Sequence, residues 1–338
     1  MQTYAAIDLH SNNGVLTIID ETDRVLKQRR IPNRLEEFIQ DLEPFRSTLQ
    51  GIAIESTFNW YWLVDGLEAK QFPVTLVNTA AIRQYEGLKR SDDQYDAWWL
   101  AHMMRLGILP KGYIYPRDQR PIRDLLRKRA TLVQQRTANI LSVQNLEARN
   151  RGTKISSKEV KQLTGARVAE WYENEHLALA LTTTIAVIDA LTKQIGLLEK
   201  AVLQKARLRS EWELLLTVWG VGKILGLTIM YEAGQMNRFS SPGDFASYCR
   251  CVQALRLSNG KKKSDNNAKN GNGYLAWAFV EAAHYAVQHY PEAKRFHDRK
   301  AAKTNSIVAI KAIAHKLARA VFHVLRDQQP FDPKKVFV

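Results

Sequence analysis

The sequence predicts an α/β domain built on a mixed β-sheet, followed by a long helical connector and a mostly α-helical C-terminal domain. Three observations carry this. The first hundred residues alternate β-rich runs with amphipathic stretches. Residues 121–206 repeat apolar side chains at three-and-four spacing. Beyond 206, apolar stretches of helical length recur, broken by a Gly-Val-Gly turn and one polar, lysine-rich segment.

In chain order, "TYAAIDL" (3–9), "GVLTIID" (14–20) and "RVLKQRRI" (24–31) are β-rich, with turn residues at 12–14 and 20–23 between them. They read as an antiparallel meander. "NRLEEFIQDLEPF" sets Leu35, Phe38, Ile39 and Leu42 at helical spacing. Then "GIAIES" (51–56) is a short apolar strand, "WYWLVDGLEAK" a helix, "FPVTLVN" (72–78) a strand and "DDQYDAWWLAHMMRL" a helix. The order β-β-β-α-β-α-β-α is that of an RNase H-like domain.

Pro110, Pro116 and Pro121 mark the end of that domain and divide the chain into 1–110, 111–206 and 207–338. The middle section holds two long amphipathic stretches, "LLRKRATLVQQRTANILSVQNL" and "LTTTIAVIDALTKQIGLLEKAVLQKA", of coiled-coil or bundle type. They suit the joining of domains or the pairing of subunits. In the last section "LLTVWGVGKILGLTIMYEAG" reads as helix, glycine turn, helix. That pattern is like a helix–hairpin–helix, whose backbone at Gly220, Gly222 and Lys223 would meet a phosphate. "LSNGKKKSDNNAKNGNGYLAW" is too polar for core and is expected to form a loop facing a polyanion through Lys261, Lys262 and Lys263.

The 338 residues carry 49 Lys and Arg against 34 Asp and Glu, a formal +15. An excess of this size points to a polyanionic partner, nucleic acid first. No run of about 18 apolar residues stands out, so no membrane partner is expected. The start, "MQTYAAIDLHSNNG", lacks the basic and apolar regions of a secretory leader. Cys249 and Cys251 stand one residue apart, which suits neither a disulfide framework nor a four-ligand zinc site. A reducing, cytoplasmic setting is the expectation.

Chemistry is expected from four acids. Asp8 lies inside the first apolar run, where a charge is costly unless paired or bound to a cation. Glu55 ends the fourth strand. Asp93 and Asp96, three apart, share one helix face that continues through Leu100 and Met104 toward the sheet. Asp92 and Ser91 fit the role of helix cap. Four inward carboxylates repel one another unless neutralised, and Mg²⁺, as two ions per site with Mn²⁺ as a substitute, has the hard-oxygen preference to do so.

These blocks resemble the transposases of insertion-sequence family 110, whose relatives include Piv-type DNA invertases. The resemblance runs through "AAIDLHSNNGVLTIID", "IAIESTFNWYWLVDGL" and the D-x-x-D-A-x-x-L-A pattern at Asp93, Asp96, Ala97, Leu100 and Ala101. It continues in "GVGKILGLTIMYEAGQMNRFSSPGDFASYC" and in a K-x-G-N segment at Lys269, Gly271 and Asn272.

The resemblance implies a RuvC-like DEDD domain in which Asp8, Glu55, Asp93 and Asp96 hold metal, and a separate C-terminal transposase domain. Ser258 takes the place of the nucleophilic serine there, with Ser264 as the fallback. It implies DNA strand exchange through a covalent phosphoserine link and a bridge RNA pairing with target and donor DNA. Because recombination must manage several strand ends and the 121–206 helices offer an interface, a homo-oligomer, dimer or tetramer, is expected. Lys269 and Asn272 would contact nucleic acid. The chain departs from the family pattern at Trp219, where proline is usual, at "RCVQ" (250–253) in place of G-L-x-P, and at Asp265 in place of glycine. The competing readings are a Holliday-junction-type nuclease without a covalent step, an RNase H-like ribonuclease, and a non-enzymatic nucleic-acid binder.

Overall fold

The computed structural model describes residues 1–82, 92–206, 209–252, 256–259, 261–264 and 270–337. The chain divides into two compact units, Met1–Arg117 and Asp118–Val338.

The first unit is built on five strands: β1 (Thr3–Leu9), β2 (Asn13–Asp20), β3 (Val25–Pro32), β4 (Leu49–Glu55) and β5 (Val74–Val77). Their order in the sheet is β3-β2-β1-β4-β5. The meander pairs antiparallel, whereas β4 and β5 add in parallel beside β1. Helices α1 (Leu35–Leu42) and α2 (Tyr61–Ala69) make the crossovers that parallel pairing requires. Their apolar stripes, Phe38 and Leu42 with Leu63, Val64 and Leu67, cover the face made by Ala5, Ile7, Leu16, Ile18, Ile52 and Ile54.

The opposite face is smaller in side-chain volume. Ala6, Ala53 and Val77 line it, which lets α3 (Asp93–Arg105) lie close through Leu100, Ala101 and Met103. Met104, expected on the buried stripe, is half-buried instead. Its sulfur sits where a Cβ at Gly51 would come within 2.8 Å, so that glycine makes room for it.

The second unit is mostly helical. It begins with α4 (Arg120–Arg151) and continues through the short α5 (Ser157–Val160) and α6 (Gly165–Ala169) to α7 (Glu175–Ala206). Arg129 pairs with Glu199 and Arg136 bonds Thr192, so α4 and α7 run antiparallel. Ile140 and Val143 meet Leu181, Ile185 and Ile188 in the seam. By length and composition α7 is apolar enough to cross a membrane, although little of it is buried. Asp189 and Lys193 are the only charged residues between its Leu177 and Leu198, a length that a helix of a bundle also reaches.

The remainder packs α8 (Ser210–Leu216), α9 (Lys223–Ala233), α10 (Pro242–Tyr248), α11 (Gly273–His289), α12 (Pro291–Lys303) and α13 (Ser306–Asp327) around one core. Between α10 and α11 the chain forms two short antiparallel strands, β6 (Arg256–Ser258) and β7 (Lys261–Ser264). The segment expected to form a loop thus contains a pair of strands. Both cysteines are free thiols, and burial pushes Cys251 up to about 12.

Candidate active site

Register brings the first two acids together. Ile7 of β1 is level with Ile54 of β4 in the parallel ladder, so the next residues, Asp8 and Glu55, stand side by side. Side chains alternate along a strand, and Asp8 and Glu55 fall on the same face as Ala6 and Ala53, the face covered by α3. Asp8 is buried, and Glu55 is hydrogen-bonded to it. Burial, that hydrogen bond and the charges of Asp8 and Asp96 push the Glu55 carboxyl from 4.5 up to about 8. Asp96 is also raised, by burial and by the charges of Asp8, Asp93 and Asp92. The strands and α3 thus converge their acids on one place.

Asp93 differs in kind. Its carboxylate is 2.5 Å from Arg30 Nη2 on β3, and 3.3 Å from His10 Nε2. The Arg30 hydrogen bond, with lesser help from His10, holds Asp93 below the usual carboxylate range despite some burial. His10 Nε2 is also 3.3 Å from Asp8 Oδ2. Neither His10 nor Arg30 was picked out from the sequence. Asp8 and His10 are two apart, a spacing that keeps both on one side of an extended strand end, and that was the available signal. Arg30 depended on register: it is level with Val15, which is level with Asp8, so all three lie in one row.

The head of α3 is fixed at both ends. Asp92 is its N-cap, accepting a hydrogen bond from the Tyr95 N–H at 2.8 Å, as expected; Ser91 lies outside the described residues. At the far end Arg105 grips Asp23 through two hydrogen bonds of 2.6 and 2.5 Å, and His102 adds a third contact at 2.8 Å. Burial would raise Asp23, but these partners outweigh it and hold the carboxyl low. Trp98 and Trp99 pack among Tyr95 and His102 and brace the helix. The donor set of Asp8, Glu55, Asp93 and Asp96 fits a hard divalent cation: one member keeps a proton for want of positive charge.

In the second unit, the backbone of Ser258 is in β6, level with Lys261 of β7. Lys261 is exposed; the side chains of Ser258, Lys262, Lys263 and Ser264, and Lys269 and Asp265 altogether, lie outside the described residues. The two ends of the hairpin-bearing segment meet. Asn272 N–H donates to Tyr248 C=O at 2.6 Å, and Arg250 donates to the carbonyls of Asn270 and Gly271. Gly271 has φ +87°, and a Cβ there would come within 2.4 Å of the Tyr248 carbonyl oxygen.

Asn272 is buried and fully engaged. Its Oδ1 caps α11 by accepting from Tyr274 and Leu275, and its Nδ2 donates to Glu232 at 2.6 Å. Glu232, buried on α9, is also held by Arg127 of α4 at 2.6 and 2.8 Å. Gly222 and Lys223 are exposed at the start of α9, whereas Gly220 (φ +78°) packs so close to α11 that a Cβ would fall 2.0 Å from the Ala282 carbonyl oxygen. Trp219 stacks on Tyr290 at 4.4 Å and Phe337 at 5.4 Å, which gives this unusual residue a place in an aromatic cluster.

Residues 5–146 match the DEDD transposase family of IS110 type, and residues 212–298 match the transposase IS116/IS110/IS902 family. The two matched segments take in Asp8, Glu55, Asp93 and Asp96 on one side and Ser258 on the other. A Streptomyces coelicolor mini-circle protein assigned as the transposase for IS117 is 26% identical over 201 residues, which is 55% of this chain. The match spans 46% of that relative's length. With both halves of the family pattern present in order on one polypeptide, the chain belongs to the IS110 family of transposases.

Proposed function

We propose that this chain is a DNA recombinase of an insertion sequence, cutting and rejoining strands through a covalent phosphoserine link. The observation that carries the reading is the side-by-side pair of Asp8 and Glu55 with Asp96 set over it from α3. A buried Asp8 beside a half-buried Glu55 that retains its proton is costly to fold, and a metal-dependent phosphoryl-transfer site accounts for keeping them. In this reading the first unit is an RNase H-like, RuvC-like domain, which the β3-β2-β1-β4-β5 order supports. The segments 1–110, 111–206 and 207–338 form the functional division in this proposal.

Asp8, Glu55, Asp93 and Asp96 would hold Mg²⁺. A bound divalent cation supplies charge neutralisation and polarisation of the phosphate oxygens. The Ser258 hydroxyl attacks phosphorus and gives up its proton, a serine Oγ–P bond forms, and one P–O bond to the sugar breaks. The leaving oxygen takes a proton. One phosphoester bond replaces another, so strand exchange needs no nucleotide triphosphate. Exposed Lys261, with its neighbours Lys262, Lys263 and Lys269, would hold phosphates, as would Gly222 and Lys223. Asn272 and Gly220 act from within, by fixing the segment and the turn that carry those groups. A bridge RNA, target and donor DNA, and further copies of this chain are the proposed partners, for which the formal +15 charge is suited.

The test incubates the chain with its element's end DNA, the flanking RNA and Mg²⁺, and looks for a serine-linked DNA adduct. Ser258→Ala should abolish the adduct, and Asp8→Asn or Asp96→Asn should abolish both cutting and joining. Cutting that survives in Ser258→Ala would instead identify a junction nuclease.

A further inference from the structure

His10, like Arg30, stands at the acid cluster outside the four-acid pattern. Its backbone is fixed on every side. The His10 N–H donates to Asn13 C=O at 2.8 Å, and its C=O accepts from the side chains of Asn33 at 3.1 Å and Asn59 at 2.9 Å. Three hydrogen bonds from three segments fix the main chain that carries the imidazole.

The ring nitrogen nearest the acids is not satisfied there. Nε2 is shielded from solvent and makes no hydrogen bond, although Asp8 Oδ2 and Asp93 Oδ2 are each 3.3 Å away. It points between the two oxygens. The three donor atoms lie within 4.8 Å of one another. Ligands about 2.1 Å from one cation stand about 3.0 Å apart when adjacent and about 4.2 Å when opposite. The two 3.3 Å separations from Nε2 fall within that range, and a cation there would take over Asp93 Oδ2 from Arg30 Nη2, 2.5 Å away.

We infer that His10 completes a mixed nitrogen–oxygen subsite with Asp8 and Asp93 that takes a first-row transition-metal dication in preference to Mg²⁺. The inference rests on the metal-carboxylate reading above and deepens it. Asp8 is then shared by two unequal halves: one with an imidazole donor, and one formed with Glu55 and Asp96 from oxygen alone. Imidazole suits transition metals, whereas Mg²⁺ demands hard oxygen donors. The same chain would accordingly discriminate between its two cations by ligand type.

The experiment uses the full chain, freed of metal and titrated with Mn²⁺ against Mg²⁺. Pulsed electron paramagnetic resonance of bound Mn²⁺ reads directly whether a nitrogen is coordinated. The wild type should show nitrogen coupling and bind Mn²⁺ roughly tenfold or more tighter than Mg²⁺. His10→Gln should lose the coupling and most of that preference, and His10→Asp should restore tight binding with the preference moved toward Mg²⁺. Matching melting curves of the metal-free variants would exclude misfolding. Coupling and preference retained in His10→Gln would overturn the inference while Asp8→Asn still lost metal, leaving the four-acid reading intact. A wild type that binds neither ion would overturn both.

Discussion

Arg30 and Asp93 form an ion pair 2.5 Å long at the mouth of the acid cluster, joining the third strand to the first turn of the third helix. Arg30 therefore occupies a carboxylate that the cation reading also needs. Its half-exposed guanidinium limits the worth of the pair to about 0.2–1 kcal/mol. Arg30→Gln should release Asp93, let its carboxyl rise toward the ordinary range, and tighten divalent-cation binding by roughly two- to fivefold. Calorimetric titration with Mg²⁺ measures this; unchanged or weaker binding would show that Arg30 does not compete.

Glu55 gives a pH dependence of unusual sign. Its folded carboxyl holds a proton up to about pH 8, whereas the unfolded chain releases it near 4.5. Between those values the folded state binds more protons. Without divalent cation, stability should fall as pH rises through that window. Glu55→Gln removes the loss, so its Tm should pull ahead of the wild type toward pH 8, by roughly 2–4 °C for each kcal/mol recovered. Parallel melting curves for the two proteins across the window would refute a retained proton.

Glu232 tests the support beneath the hairpin. Arg127→Ala leaves a buried carboxylate with Asn272 alone to answer it among the described residues, a change worth about 3–5 kcal/mol. Adding Glu232→Gln removes the stranded charge and should recover a large part of that loss. Chemical denaturation of the single and double variants decides; a double variant no more stable than Arg127→Ala would show that the charge is not the cause.

The two glycines of the Gly-Val-Gly turn should behave oppositely. Gly220→Ala forces a side chain against the Ala282 carbonyl at a positive φ and should cost more than about 2 kcal/mol. Gly222→Ala adds a methyl group in open space and should change stability by less than about 0.5 kcal/mol. Thermal melts separate them, and equal losses would contradict the packing described.

Much of the first unit was legible because buried strands and helices carry short, regular patterns. Asp8 stood out as a charge within "AAIDL", and Asp93 and Asp96 as a pair on one helical face. His10 and Arg30 were not found. A single histidine after a strand looks like turn polarity, and Arg30 joins Asp8 only through a register across three strands, which local periodicity does not encode. The paired strands at 256–258 and 261–264 lie where the sequence reads as loop, although the dipeptide Asn-Gly between them is a hairpin-turn signal; the flanking lysines obscured their β character. The resemblance gives Asn272 as a nucleic-acid contact; its burial against Glu232, forty residues away in sequence, is a tertiary pairing that no local pattern encodes.

The joined neck at Tyr248, Gly271 and Asn272 makes the intervening stretch a cassette. Its ends are clamped by backbone hydrogen bonds and a helix cap, and Cys249 and Cys251 tie its first residues to the core, so beyond them the helices depend little on what is strung between. Loop-closure cost grows only slowly with length. Lysines can be added, removed or exchanged between neck and neck, and the reach and grip of the hairpin retuned for a new nucleic acid, without refolding the scaffold that holds it.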